Sequence, residues 1–375
     1  MTGAGVVRGL TGADAPRELV ELGWSSATAA SWAALGLLEL QPGRVTTEER
    51  GVVHVATATG PVVATLAGRL RHESGQDVEV LLPAVGDWVG LADSGPGTAV
   101  VQAVLPRTSA IVRRSPTDRS LPTQVLAANI DVAFVVMSLN ADFNLRRLER
   151  YLAVAWESGA LPVALLSKAD LSTDVVGMCL AAEASAPGVE VIAVSALSGE
   201  GIEAVRAHLG VGRTVVFIGS SGVGKSSLVN ALAGTDLLEI AAIREDDARG
   251  RHTTTRRQLV RLVEGLVIDT PGLRELGLAD GQGLADTFGD VDTIASDCRF
   301  SDCRHASEPG CAVRAALAQG SLDSARFAAF QKLEREAHRA ELAGNAVARK
   351  AERKKWTAMI WGVERNLELK YGRDR

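Results

Sequence analysis

Short apolar runs punctuated by glycine, proline and charge fill one part of the chain, and longer runs alternating with helical periods fill another. Runs at 52–57, 62–67, 78–82, 88–92 and 99–105 are rich in β-branched residues and closely spaced. They predict a small five-stranded barrel over 43–113, with an oligonucleotide-binding-type fold as first choice. Upstream, 15–22 and 27–38 have a modest helical pattern, giving a helical extension over 1–42 to which no chemistry is assigned. A polar linker follows the barrel at 114–124, with Pro116, Asp118 and Pro122. The stretch 131–137 is continuously apolar after Asp131, as in a parallel strand covered on both faces. Helical periodicity over 145–156, strands at 163–166, 191–194 and 214–218, and a helix from 227 continue the alternation. Two more strands follow at 258–263 and 266–268. This alternation predicts a doubly wound α/β domain over 126–290, with ligands at the carboxyl ends of its strands. Residues 291–375 form a cysteine-rich module and a helical, increasingly basic tail.

Composition narrows the partners. A length of 375 residues suits two or three domains, and 46% apolar residues supply ample cores. The net charge of −5 gives no global basic field, so any nucleic-acid contact must come from local patches. Asp14, Glu18 and Glu21 interrupt the N-terminal stretch, and no apolar run approaches the roughly 18–20 residues a membrane helix needs. Three of the four cysteines cluster, which in a chain without a leader suggests metal rather than disulfides. A cytoplasmic protein without membrane contact, acting as a monomer, is expected.

The sharpest chemistry lies at Gly219-Ser220-Ser221-Gly222-Val223-Gly224-Lys225-Ser226, which fits the phosphate-binding pattern G-x-x-x-x-G-K-[ST]. A β-branched strand precedes it, and a helix beginning near Ser227 follows. The glycines let backbone N–H groups turn toward phosphate oxygens, where the helix N-terminus adds partial positive charge. Lys225 is expected to reach the β- and γ-phosphates, and the Ser226 hydroxyl to hold Mg²⁺.

Three further motifs surround this loop in the sequence. Ser167-Lys168-Ala169-Asp170 resembles the guanine-recognition motif N-K-x-D, in which the aspartate accepts hydrogen bonds from the guanine N1–H and amine. Ser195-Ala196 stands where an [ST]-A motif backs the base, and Asp269-x-x-Gly272 matches the phosphate-sensing D-x-x-G. An ordinary GTPase has the phosphate loop first; here the guanine motif and Ser195-Ala196 precede it. The domain is read as circularly permuted. With the upstream barrel, Gly250-Arg251-His252-Thr253-Thr254-Thr255 and a downstream Cys/His cluster, the chain resembles the ribosome small-subunit-dependent GTPase A (RsgA) family over about residues 43 to 320.

The resemblance implies a GTPase, turning GTP into GDP and phosphate, that acts late in small-subunit assembly. It would bind the subunit and its rRNA in the GTP state and leave after hydrolysis. Thr254 and Thr255 compete for the switch role on Mg²⁺ and the γ-phosphate, with Thr255 favoured by the Thr-Arg pattern. Leu273 occupies the position of the water-orienting glutamine of small GTPases, so hydrolysis should be slow alone. His252 is the internal candidate to orient water; the alternative is a solvent-exposed loop histidine. Ser167 replaces the usual asparagine, a change expected to loosen affinity without redirecting the specificity carried by Asp170.

Cys298-x₄-Cys303-x-His305-x₅-Cys311 offers three thiolates and an imidazole, the ligand set of one structural tetrahedral Zn²⁺. Cys179 lies apart and reads as core. In the barrel, Arg44, Arg50, Arg69, Arg71, Arg107 and Arg113 are candidate phosphate contacts, against the alternative of a purely structural barrel. The tail stretch 349–355 carries five basic residues and one acidic, followed by Trp356 and Trp361, and reads as an rRNA contact or a solvated helix face. The rival function is an RNA-binding zinc protein whose affinity GTP regulates, with turnover incidental.

Overall fold

The computed structural model describes residues 14–49, 51–73, 82–113, 124–234, 257–269, 281 and 283–344. Five strands close the barrel: β1 (Gln41–Glu49), β2 (Val52–Thr57), β3 (Gly60–Leu66), β4 (Trp88–Gly95) and β5 (Thr98–Val104). Their neighbours run β1-β2-β3-β5-β4 and back to β1, with β3 and β5 parallel and the other pairs antiparallel. Alternate residues such as Val45, Val53, Val55, Val89 and Val101 fill the interior. The first strand departs from expectation. No strand is predicted over Gln41–Glu49, yet it pairs with β2, β4 and, through Thr47 opposite Gln258, a strand of the next domain. The run predicted at 78–82 lies outside the described residues except Leu82, which is not in a strand.

The N-terminal helices α1 (Arg17–Glu21) and α2 (Ser26–Ala34) pack on the barrel through edge-to-face tryptophans. Trp24 lies 4.9 Å from Trp88 and 5.7 Å from Trp32 between ring centroids. Trp88 is therefore buried in this cluster and offers no platform for a base. Two of the barrel arginines are structural as well. Arg44 is 1% exposed, and Arg107 is held on Asp87 by bonds of 2.8 and 2.6 Å. Neither is available to a phosphate.

Two short strands, β6 (Ala110–Arg113) and β7 (Gln124–Ala128), pair and lead into the α/β sheet. That sheet contains β8 (Val132–Ser138), β9 (Leu161–Ser167), β10 (Glu190–Val194), β11 (Thr214–Ile218), β12 (Gln258–Leu262) and β13 (Gly265–Asp269). Its order is β10-β9-β8-β11-β13-β12, parallel except for β12. Ala133, Val135 and Met137 face α4 (Leu145–Glu157) and the C-terminal helices. Val132, Phe134 and Val136 face α6 (Ile202–Arg206) and α7 (Lys225–Ala233). Both faces are apolar because both are covered.

The barrel and the sheet share an edge, since β12 lies between β13 and β1. The approach is tight at Gly86 (φ +94°), where a Cβ would stand 2.1 Å from the Ala128 carbonyl oxygen. Only glycine fits there. At the other end, α8 (Gly283–Thr287), α9 (Gly289–Ser296), α10 (Ala312–Gln319) and α11 (Ser324–Gly344) pack against α4 and one another. Among the described residues, no helix is long and apolar enough to cross a membrane.

Candidate nucleotide site and metal centre

The phosphate loop leaves β11 at Gly219, which passes so close to β8 that a Cβ would meet the Val136 oxygen at 2.5 Å. Gly224 (φ +93°) turns the chain into α7. The Lys225 ammonium donates to the loop's own Gly219 and Ser220 carbonyls, at 2.8 and 2.6 Å. Ser226 and Ser227 sit exposed in the first turn of α7. Ser221 and Gly222 are exposed at the loop crest, and Val223 anchors it in the core.

The guanine motif ends β9 and is fastened to this loop. Ser167, buried, donates its hydroxyl proton to the Val223 carbonyl at 2.6 Å. A serine has one proton where asparagine has two N–H groups and an oxygen, so this single bridge is all the hydroxyl can donate. Lys168 adopts a left-handed conformation (φ 59°) and donates to the Gly222 carbonyl at 2.7 Å. The Ser195 hydroxyl accepts from the Leu197 and Ser198 amides at 3.2 and 3.1 Å. Its own proton then goes to Asp170, 2.5 Å away, which fixes the carboxylate. Ala196 packs partly buried beside it.

Parallel pairing of β11 with β13 brings Asp269 to the phosphate end of the sheet. Burial raises the pKa of its carboxyl, and the charge of Lys225 opposes that rise. A carboxylate and an exposed hydroxyl, Ser226, are the hard oxygen donors that Mg²⁺ uses alongside phosphate. His252, Thr254, Thr255 and Gly272 lie outside the described residues, as does Leu273. Two contacts were not anticipated from the sequence. Arg147 and Tyr151, on α4, reach the Ser220 hydroxyl at 3.2 and 3.3 Å.

Cys298, Cys303, His305 and Cys311 converge, with one potential ligand atom from each lying within 4.8 Å of the others. The Cys298 and Cys311 sulfurs are 3.9 Å apart, and His305 Nδ1 is 3.6 and 3.5 Å from them. A tetrahedral ion with ordinary zinc–sulfur and zinc–nitrogen bonds would need edges of about 3.6–3.8 Å, so the residues fit zinc. The Arg314 amide donates to the Cys311 sulfur at 3.4 Å, an outer contact of the kind that steadies a thiolate.

A family model described as RsgA GTPase matches residues 104–279. The small ribosomal subunit biogenesis GTPase RsgA of Opitutus terrae is 43% identical over 356 residues, spanning 92% of this chain and 96% of that protein. The chain belongs to the RsgA GTPase family. Another relative, the small ribosomal subunit biogenesis GTPase RsgA 2 of Lactiplantibacillus plantarum, is 47% identical over 78% of this chain and 82% of its own. The crystal structure of YjeQ from Thermotoga maritima aligns with a TM-score of 0.58 at 26% identity, over 79% of this chain and 98% of that one. As an RsgA-family protein the chain is a GTP hydrolase, and the expectation of a circularly permuted GTPase domain holds. In space its guanine-motif strand β9 is separated from the P-loop strand β11 only by β8, although it comes first in sequence.

Proposed function

We propose that this GTPase acts on the small ribosomal subunit late in its assembly, in the cytoplasm, binding in the GTP state and leaving after hydrolysis. Residues 219–226 cradle the phosphates, Lys225 neutralises them, and Ser226, Asp269 and Thr255 or Thr254 serve Mg²⁺. Asp170 reads guanine, with Ser195-Ala196 behind it and the Lys168 stem along the base. Gly272 meets the γ-phosphate, and His252 orients water. Zinc, when bound by the Cys₃His set, closes the C-terminal module structurally. Barrel and zinc module dock a monomer on rRNA, and the working division is 1–42, 43–113, 126–290 and 291–375.

One observation carries the site assignment. Two separate bonds, from Ser167 to Val223 and from Lys168 to Gly222, tie the base-reading loop to the phosphate loop. Base and phosphates are thereby held at one fixed spacing. The relatives' names support the partner.

The test compares GTP hydrolysis alone, with isolated small subunits, and with large subunits or bulk RNA. Partner-supplied stabilisation in other P-loop GTPases reaches roughly 10³–10⁵-fold, so even partial stimulation by the small subunit will be plain. No preference for the small subunit over bulk RNA would sink the ribosomal reading. Asp170→Asn should weaken guanine nucleotides and favour xanthine ones. Unchanged GTP affinity would remove Asp170 from the base.

A further inference from the structure

Helix α4 makes two sets of polar contacts. To α11, Glu149 accepts from Arg326 at 2.9 Å, and Arg150 makes paired bonds of 2.9 and 2.7 Å with Glu336. To the phosphate loop, Arg147 and Tyr151, one turn apart, converge on the Ser220 hydroxyl. The Ser220 carbonyl in turn receives the Lys225 ammonium. Among the described residues no carboxylate pairs with Arg147, so a guanidinium stands beside the phosphate loop held only by a hydroxyl.

We propose that Arg147 and Tyr151 are positioning residues for the phosphate loop, and that α11 sets their placement through Glu149 and Arg150. This rests on the reading that 219–226 cradles the phosphates. Because α4 is one rigid element held by both neighbours, a change in how α11 holds it moves the Ser220 contacts, and with them the loop carbonyls that engage Lys225. The charge of Arg147, which no described carboxylate neutralises, favours the extra negative charge of GTP over GDP. Coupling of this kind is reciprocal: the nucleotide state alters the grip of the C-terminal module by the same factor.

Release rates of fluorescent GTP and GDP analogues from the full chain test this. Arg147→Gln and Glu336→Gln should each raise the ratio of GTP to GDP release by on the order of fivefold, within the usual range of site-to-site coupling. The double variant should show no more than the larger single effect, because both act through one contact. Arg147→Lys should restore most of the ratio, since the charge is kept. Tyr151→Phe should shift release of both nucleotides equally, because it removes no charge. A Glu336→Gln protein whose ratio stays within about twofold of the parent, or single effects that multiply in the double variant, would overturn the proposal. Lys225→Ala separates the two claims: undiminished binding by that variant overturns the phosphate-loop reading and this inference together. A failed Glu336 result with Lys225→Ala inactive overturns only the inference.

Discussion

Two buried arginines fasten the appended units to the GTPase sheet, and they are satisfied in opposite ways. Among the described residues, Arg44 in the barrel bonds only neutral oxygens, the carbonyls of Leu22, Gly86 and Asn129, with the Trp88 ring 5.7 Å from its guanidinium. Burial without a bonded carboxylate draws its pKa down to about 10. Arg326 in α11 is 6% exposed and meets carboxylates: Glu149 at 2.9 Å and both oxygens of Asp290 at 2.8 and 2.7 Å. Burial opposes its charge, but Asp290 and then Glu149 more than offset that and raise its pKa. The core of the barrel junction is built from dipoles and a shared strand edge, so it responds little to proton and salt. The C-terminal junction is built from ions, and its strength can be changed from outside. That is the junction that grips α4.

The largest effect should come from removing the far support of the ionic junction. His305 stands edge-on to Phe327 of α11, 6.1 Å between ring centroids, so the Cys/His module braces the helix that carries Arg326. Apparent binding energies of structural zinc run to about 10–16 kcal/mol. Cys303→Ser should lose one zinc per chain by elemental analysis and open 298–344 to proteases, while the barrel stays resistant. A metal-free chain still protected over 298–344 would show that this junction needs no metal.

Next comes Arg326→Met. It leaves Asp290 without its partner and Glu149 with Arg146 alone, and breaking a buried pair on one side typically costs about 3–5 kcal/mol, a ceiling here because Arg146 still holds Glu149. The loss should depend on pH. Burial already raises the pKa of the Glu149 carboxyl, and removing Arg326 raises it further. A carboxyl raised above its unfolded value stabilises most at low pH and loses that contribution as pH climbs through the folded value. The deficit against the parent protein should therefore shrink on going from pH 7 toward pH 5, as followed by urea unfolding.

Arg44→Met should cost less, about 1–3 kcal/mol, because it leaves carbonyls unpaired but no charge. Between pH 5 and 7 its deficit should stay flat. A deficit that varies as steeply as that of Arg326→Met would erase the distinction between the junctions.

The same contrast explains what was readable in advance. Strands β8 and β11 stand out because both faces of their sheet are covered and every residue but the terminal Ser138 and Thr214 is apolar. The P-loop stands out because phosphate geometry tolerates few residues at its glycines. β1 reads Gln-Pro-Gly-Arg-Val-Thr-Thr-Glu-Glu and looks like a solvated turn. It is a strand because three neighbours pair with it, a non-local cause that no window of residues contains. Arg44 looks in sequence like a candidate phosphate contact for the same reason: carbonyls brought in from Leu22, Gly86 and Asn129 make its burial tolerable. Arg147 sits within a legible helix, but its contact with Ser220 spans 73 positions and had no signal.

The smallest effect should be at the rim of the barrel junction, where Glu21 of α1 bonds both Arg17 and Arg261 of β12. Arg261 is 58% exposed in its side chain, so solvent and salt screen the pair. Hydrogen bonds from Arg17 first and Arg261 second hold the pKa of the Glu21 carboxyl below its ordinary value. A lowered carboxyl contributes stability above its unfolded pKa and loses it as pH falls through the folded one. Arg261→Ala should thus melt almost with the parent at pH 7 in moderate salt. Any small difference should vanish at high salt and below about pH 4, where the carboxylate protonates. Both deficits thus shrink on acidification, but for different reasons and in different windows. Here the parent loses a pair at about pH 4, whereas with Arg326→Met the under-paired carboxylates of the variant are relieved already between about pH 7 and pH 5. If Arg261→Ala instead costs as much as Arg44→Met, and salt removes the difference, the barrel edge is held by ions too, and the contrast between the junctions fails.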